Sequence, residues 1–114
     1  MKLWIDCEFN SFEGQLLAMA LVDEDDRVFY RELEVYENLD SWVVDHVVLD
    51  WPDREKDNYF TFQSALESFL EHYDNIHLIA DWPEDITYFT RALIIGPGER
   101  IDTPPLTLEI RRDL

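Results

Sequence analysis

The chain has 114 residues and a mass of 13.7 kDa, the size of one domain with room for a real core. Apolar residues make up 46% and aromatics 14%, which excludes a disordered chain, and no apolar run approaches the ~18 residues of a membrane span. Nine Lys and Arg face 26 Asp and Glu, a formal net charge of −17, so the surface repels nucleic acid and anionic membranes unless metal ions or a local basic patch intervene. Any polyanionic substrate would be held by metal and a few residues near the site; the plainer expectation is that the acidity serves solubility. The N-terminus enters a strand with no signal-peptide layout, and the lone Cys7 cannot close an internal disulfide. A reduced, cytoplasmic setting is therefore expected.

In Trp4-Ile5-Asp6-Cys7-Glu8-Phe9-Asn10 the apolar Leu3, Ile5 and Cys7 alternate with Trp4, Asp6 and Glu8, the period of a strand. Asp6 and Glu8 then share a face, roughly 7 Å apart. Ser11-Phe12-Glu13-Gly14 reads as a turn. Gln15 to Val22 is nearly all apolar and reads as a strand buried on both faces. After the polar turn 23–26, Arg27 to Tyr36 reads as a third strand with Phe29, Leu33 and Val35 on one face and Arg31 interrupting it. The three together suggest an antiparallel meander.

Asp40 or Ser41 can cap a short helix carrying Trp42, Val43, His46 and Val47. Residues 49–58, which hold Pro52, read as a loop. From about Thr61 to Tyr73 the residues Phe62, Leu66, Phe69, Leu70 and Tyr73 form an apolar stripe at helical spacing, which is core packing. Ile76 to Ala80 is a short apolar strand. A second helix follows through about Leu93, with Pro83 in its first turn and Asp81 and Glu84 spaced as a capping box. Gly96-Pro97-Gly98 is expected to end that helix, and Pro104-Pro105 to break residues 101–110 into short strand pieces. The expected architecture is α/β, a mixed sheet flanked by helices.

Two acids on one face at the end of an apolar strand repel and resist joint ionisation unless a cation lies between them. Hard divalent ions such as Mg²⁺ favour carboxylate oxygens. Asp81 and Asp85 lie four apart at the start of a helix that follows a buried strand, where the helix dipole helps keep an acid ionised. A plain N-cap role competes for Asp81 and is weaker for Asp85, which lies inside the first turn.

Asp6-Cys7-Glu8-Phe9 resembles the first motif, Asp-x-Glu, of the DEDD 3′–5′ exonucleases, specifically the proofreading-like, His-containing branch. The second motif of that superfamily is similar to Asp81 and Asp85 followed by Tyr88 and Phe89. Ile101-Asp102-Thr103 is similar to the Asp-Thr pair that opens the next element. The group it most resembles is that of small bacterial and phage exoribonuclease-like proteins. The resemblance implies a ribonuclease-H-like fold over residues 1–114 as one exonuclease-like domain. It implies two Mg²⁺ or Mn²⁺ ions held by Asp6, Glu8 and Asp85, with Asp81 a further candidate ligand. It also implies a single-stranded 3′ end as substrate, RNA ahead of DNA, with Phe9, Asn10 and Trp82 as its contacts. It leaves room for a homo-oligomer.

One motif of that family is missing. A His followed five residues later by an Asp belongs after the Asp-Thr element, whereas His46, His72 and His77 all lie upstream. The sequence is therefore expected to be either a C-terminally incomplete form or a degenerate homologue. A catalytically dead module that binds metal or nucleic acid, and an acidic interaction protein, are the rival expectations.

Overall fold

The computed structural model describes residues 1–48, 51–52 and 54–112. A mixed sheet of five strands has β1 (Lys2–Phe9) at its centre, in the order β3-β2-β1-β4-β7. β2 (Leu16–Asp23) pairs antiparallel with β1, and β3 (Val28–Glu32) antiparallel with β2. β4 (Ile76–Ala80) and β7 (Leu106–Ile110) continue the sheet in parallel. The α/β expectation holds at this level: a meander supplies one half of the sheet, and crossover connections supply the other.

The strand alternation of β1 divides its residues as its sequence requires. Leu3, Ile5 and Cys7 are buried, while Trp4, Asp6 and Glu8 stand on the other face with partial or full exposure. The buried face packs under two helices, α2 (Tyr59–Leu70) and α3 (Pro83–Ala92). Phe62, Leu66, Phe69 and Leu70 of α2 and Phe89 and Ala92 of α3 enter this core, joined by Met19, Leu21, Phe29 and Leu78 from the strands. Burying side chains of this kind contributes roughly 1.5–3 kcal/mol each, before entropy is counted.

Four expectations need correction. The third strand stops at Glu32 rather than Tyr36, and Val35 is exposed at 44%. Past Leu33 the backbone takes other partners: Glu34 N–H donates to Asp57 O, while the buried Gln15 side chain donates to Glu34 O and accepts from Tyr36 N–H. Asp81 does not cap α3. Trp82 occupies the cap position without a side-chain hydrogen bond, and Pro83, lacking an N–H, leaves one donor fewer to satisfy. Glu84 instead accepts from Trp82 Nε1. Gly96-Pro97-Gly98 does not end α3, which stops at Ala92. Those residues turn a small hairpin between β5 (Ile94–Gly96) and β6 (Glu99–Arg100), with Gly98 at φ 71°. The helix expected over 61–73 starts two residues earlier, because Asn58 Oδ1 accepts from Thr61 N–H and starts it at Tyr59, and it ends at Leu70, leaving Tyr73 beyond it.

The short helix α1 (Ser41–Val43) is capped by Asp40, whose carboxylate accepts from Trp42 N–H. It continues into a π-helical turn, Val44–Val48, a widening the residue pattern did not indicate. Of the loop expected over 49–58, residues 49, 50 and 53 lie outside the described residues; the rest carries only the isolated bridge of Asp57 to Leu33. Among the described residues no helix is long and apolar enough to cross a membrane.

The end of α3 depends on one buried amide. Gln63 Nε2 donates to Ala92 O at 3.0 Å, a carbonyl the helix end leaves open, and to Ile94 O of β5 at 2.8 Å. Gln63→Leu strands both carbonyls and is expected to cost about 1–3 kcal/mol in urea denaturation. Ser64→Ala, on the exposed side of α2, should stay within about 0.5 kcal/mol. Equal losses in the two variants would show that the amide bridge contributes nothing.

Candidate metal and nucleotide site

The site is built where β1 ends and α3 begins. A β-bulge between Glu8 and Phe9 bends the strand out of register with β2. The turn that follows is tight: Ser11 and Glu13 adopt φ near 60°, and a Cβ on Gly14 would lie 1.5 Å from Asn10 O. Only glycine fits that approach. Tyr88 of α3 reaches back to the turn, donating its hydroxyl to Gly14 O at 2.6 Å and packing its ring 4.8 Å from that of Phe9. The helix and the strand end are thus locked together.

This junction gathers the predicted acids into one electrostatic neighbourhood. Asp85, in the first turn of α3, is 2% exposed. Its carboxyl is pushed up to about 7, first by burial and then by Asp6, with Asp81 and Glu8 adding to the shift and the Cys7 backbone N–H opposing it. Burial followed by Asp81 raises Asp6, and burial followed by Asp6 raises Glu8. Cys7, between them in sequence but on the opposite face, is also pushed up by burial and by Asp85. Its thiol stays protonated, so it is no nucleophile at neutral pH.

Asp85 Oδ2 is buried and has no hydrogen-bond partner. A carboxylate oxygen left in that state is costly, and a cation or a proton relieves it. Carboxylates of this kind match the hard oxygen donors that Mg²⁺ and Mn²⁺ prefer. Among the described residues no three His, Cys, Asp or Glu side chains are close enough to form a ready ligand shell. The acids share a field without yet converging on one point, as mutually repelling carboxylates do. Asp85, Asp6 and Glu8 fit a divalent ion in donor type and in the unmet need of Oδ2; Asp81 is exposed beside them.

The expected nucleotide contacts divide. Phe9 is half-buried against Tyr88, and Trp82 is 55% exposed. Both line a groove of ≈ 320 Å³ with Glu8, Phe12 and Trp42. Asn10 is buried, and its amide is fully used: Nδ2 donates to Glu37 Oε1 and Asn38 O, and Oδ1 accepts from Asp40 N–H. It fastens residues 37–40 to the turn. Asp102 is exposed, its N–H donating to Glu67 Oε2.

Two residues of the groove were not singled out from sequence as ligand contacts. Phe12 is 78% exposed and Trp42 59% exposed. Trp42 stacks on His46 with ring centroids 4.5 Å apart and planes 13° apart, and His46 Nδ1 lies 2.9 Å from Trp42 O. Large exposed aromatics around one groove are a legible signal only once the fold brings 12, 42 and 82 together. None of the histidines joins the acids. His46 is on Trp42, His72 lies edge-on to Tyr73, and His77 sits between Thr107 Oγ1 and Glu109 Oε1.

No protein-family model matches the sequence, and no curated protein matches it significantly.

The raised carboxyls have a definite sign in stability. Asp85 binds a proton in the fold up to about pH 7, whereas the unfolded chain releases it near pH 4. Stability is therefore fully present below the unfolded value and falls as pH rises through about 4 to 7. Asp85→Asn, which keeps the acceptor for Cys7 N–H, removes that loss. It should raise the melting temperature at pH 8 and change it little at pH 4. An equal effect at both pH values would refute the buried-charge account.

Proposed function

We propose that the chain is a divalent-metal-dependent 3′–5′ exonuclease domain with a ribonuclease-H-like fold, acting on single strands and on RNA ahead of DNA. The observation that carries this reading is Asp85: a buried carboxyl with an unpartnered oxygen, raised first by burial and then by the neighbouring Asp6, Asp81 and Glu8. The sheet order β3-β2-β1-β4-β7, antiparallel on one side of β1 and parallel on the other, supports the fold. Its acids stand in the second half of the central strand and at the start of the helix that follows the adjacent parallel strand, toward the carboxyl ends of both. The groove beside Glu8 supports the substrate class, because exposed Phe12, Trp42 and Trp82 offer π-faces to unpaired bases.

In this reading Asp6, Glu8 and Asp85, with Asp81 beside them, hold Mg²⁺ or Mn²⁺. A metal bound there would supply a lowered water pKa and charge stabilisation at the scissile phosphodiester and the leaving 3′ oxygen. The protein's own part is positional. Asp85 is fixed by α3 and by the Tyr88–Gly14 bond, and Asp6 and Glu8 are fixed by the pairing of β1 with β2. Trp82 and Phe9 flank the groove next to Glu8, where a terminal base would stack with its phosphodiester toward the acids. A cation at the site also offsets the −17 net charge that would otherwise turn a polyanion away.

Among the described residues no histidine stands with the acids, so these residues offer the attacking water no imidazole base. General-base catalysis typically contributes about 10²–10⁴-fold, and turnover by these residues alone should be lower by that order than in a site with its base. The same observation favours the second reading, a catalytically dead homologue that keeps metal or nucleic-acid binding.

Melting with millimolar Mn²⁺ against EDTA, paired with a 5′-labelled RNA and DNA oligomer, tests both. Mn²⁺ should raise the melting temperature of the wild type and raise it less in Asp6→Asn and Asp85→Asn. Slow Mn²⁺-dependent shortening from the 3′ end, lost in Asp6→Ala, supports the exonuclease. A Mn²⁺ shift without shortening moves the weight to the binding module. An identical shift in wild type and both variants would mean diffuse screening and would leave an acidic interaction protein.

A further inference from the structure

The groove beside the acids does not stop there. It shares Phe12 and Glu84 with a second cavity along α3, and that one shares Glu13, Tyr88 and Arg91 with a third of ≈ 400 Å³. Through these shared walls the three adjoin as a track from Glu8, past Phe12, to Tyr36, Tyr59 and Arg91. The volume at the far end is within the usual range for a small-ligand site.

The chemistry of that end is specific. Tyr36 is 78% exposed and Tyr59 37% exposed. Tyr59 is braced against Phe62 with ring centroids 5.6 Å apart. The Gln15 side chain, which accepts from Tyr36 N–H, pulls the strand out of the sheet and brings Tyr36 to the cavity wall. Arg91 is exposed, with its guanidinium carbon 5.7 Å from the Tyr88 ring centroid. It makes no ion pair among the described residues, whereas Arg31, Arg54 and Arg111 each pair with an acid. Among the described residues no other Lys or Arg lines the track. Of the two acids at the far end, Glu37 is engaged by Gln15 N–H and Asn10 Nδ2, and Glu13 is exposed on the turn.

We infer that this cavity is a second nucleotide subsite, in which a base of the strand upstream of the 3′ end stacks on Tyr36 or Tyr59 and its phosphate is held by Arg91. The inference rests on the nuclease reading above and adds a residue set to it. A cation without an acid partner in an aromatic-walled cavity is suited to a phosphate joined to a base. On a surface this acidic, one such arginine accounts for a polyanion being held away from the metal site. The subsite makes the protein a reader of strand length: a mononucleotide spans only the acid end of the track, and an oligomer spans both.

The test is binding in millimolar Ca²⁺, an oxygen-ligand ion, with a 5′-fluorescein uridylate hexamer followed by anisotropy and uridine 5′-monophosphate as competitor. Arg91→Ala should weaken the hexamer, leave the monophosphate unchanged, and lower the slope of log affinity against log salt by about 0.7, the value of one single-strand phosphate. Arg91→Lys should restore the slope. Tyr36→Ala should weaken the hexamer about fivefold or more, the value of one lost stacking contact. An unchanged hexamer affinity and slope in Arg91→Ala overturns the subsite while leaving the acid site standing. Equal weakening of hexamer and monophosphate also overturns it, since Arg91 would then act through Tyr88 and the fold. A wild type that binds neither ligand overturns the subsite and the nuclease reading together.

Discussion

The arrangement turns on a buried carboxyl. Asp85 lies in the first turn of α3 with one oxygen unpartnered, facing the end of a strand that carries two more acids. Such a group is unfavourable to fold around, and a chain selected only for stability would place Asn or Leu there. The surroundings hold it in place regardless: Tyr88 bonds to Gly14 O, and Phe89 and Ala92 anchor the same helix in the core. Stability is traded locally for an acid cluster that a divalent ion would relieve. Strain of this kind at a strand end beside a groove is characteristic of a site.

The rest of the fold serves that junction. Tight glycine geometry at residue 14 brings the turn against α3, and Asn10 uses its whole amide to fasten residues 37–40 beneath it. That fastening sets the entry to α1 and so delivers Trp42 to the groove wall opposite Trp82. The π-helical turn after it is the kind of local irregularity found at functional positions. Asn10 thus contributes to the groove through the backbone it ties down, where a direct ligand contact was expected of it.

The charge distribution follows the same division. Of the chain's 26 acids, those that bear on the site are Asp6, Glu8 and Asp85, each raised first by burial and then by a neighbouring acid. Most arginines are tied up structurally. Arg54 meets Glu32 at 2.8 Å, Arg111 meets Glu109, and Arg27 donates to Phe69 O and lies over its ring. Arg91 faces the cavity walled by Tyr36 and Tyr59 and makes no ion pair among the described residues.

The strands and helices were legible in sequence because each carries a local signal. Alternation marked β1, an apolar run marked β2 and β4, and the stripe from Phe62 to Tyr73 marked α2. The pairing of Asp6 with Glu8 on one face followed from strand parity alone. Element ends were less legible, because long-range partners decide them: Gln15 ends β3, Trp82 takes the cap expected of Asp81, and the glycines of 96–98 turn a hairpin. The order of the sheet, the depth of Asp85 and the gathering of Phe12, Trp42 and Trp82 depended on tertiary structure. Burial and through-space charge are properties of neighbours far apart in the chain, and no local pattern of residues encodes how deeply a carboxyl will be desolvated. The sequence by itself determined which residues could carry the chemistry, and the packing of α3 against the end of β1 decided which of them share a field.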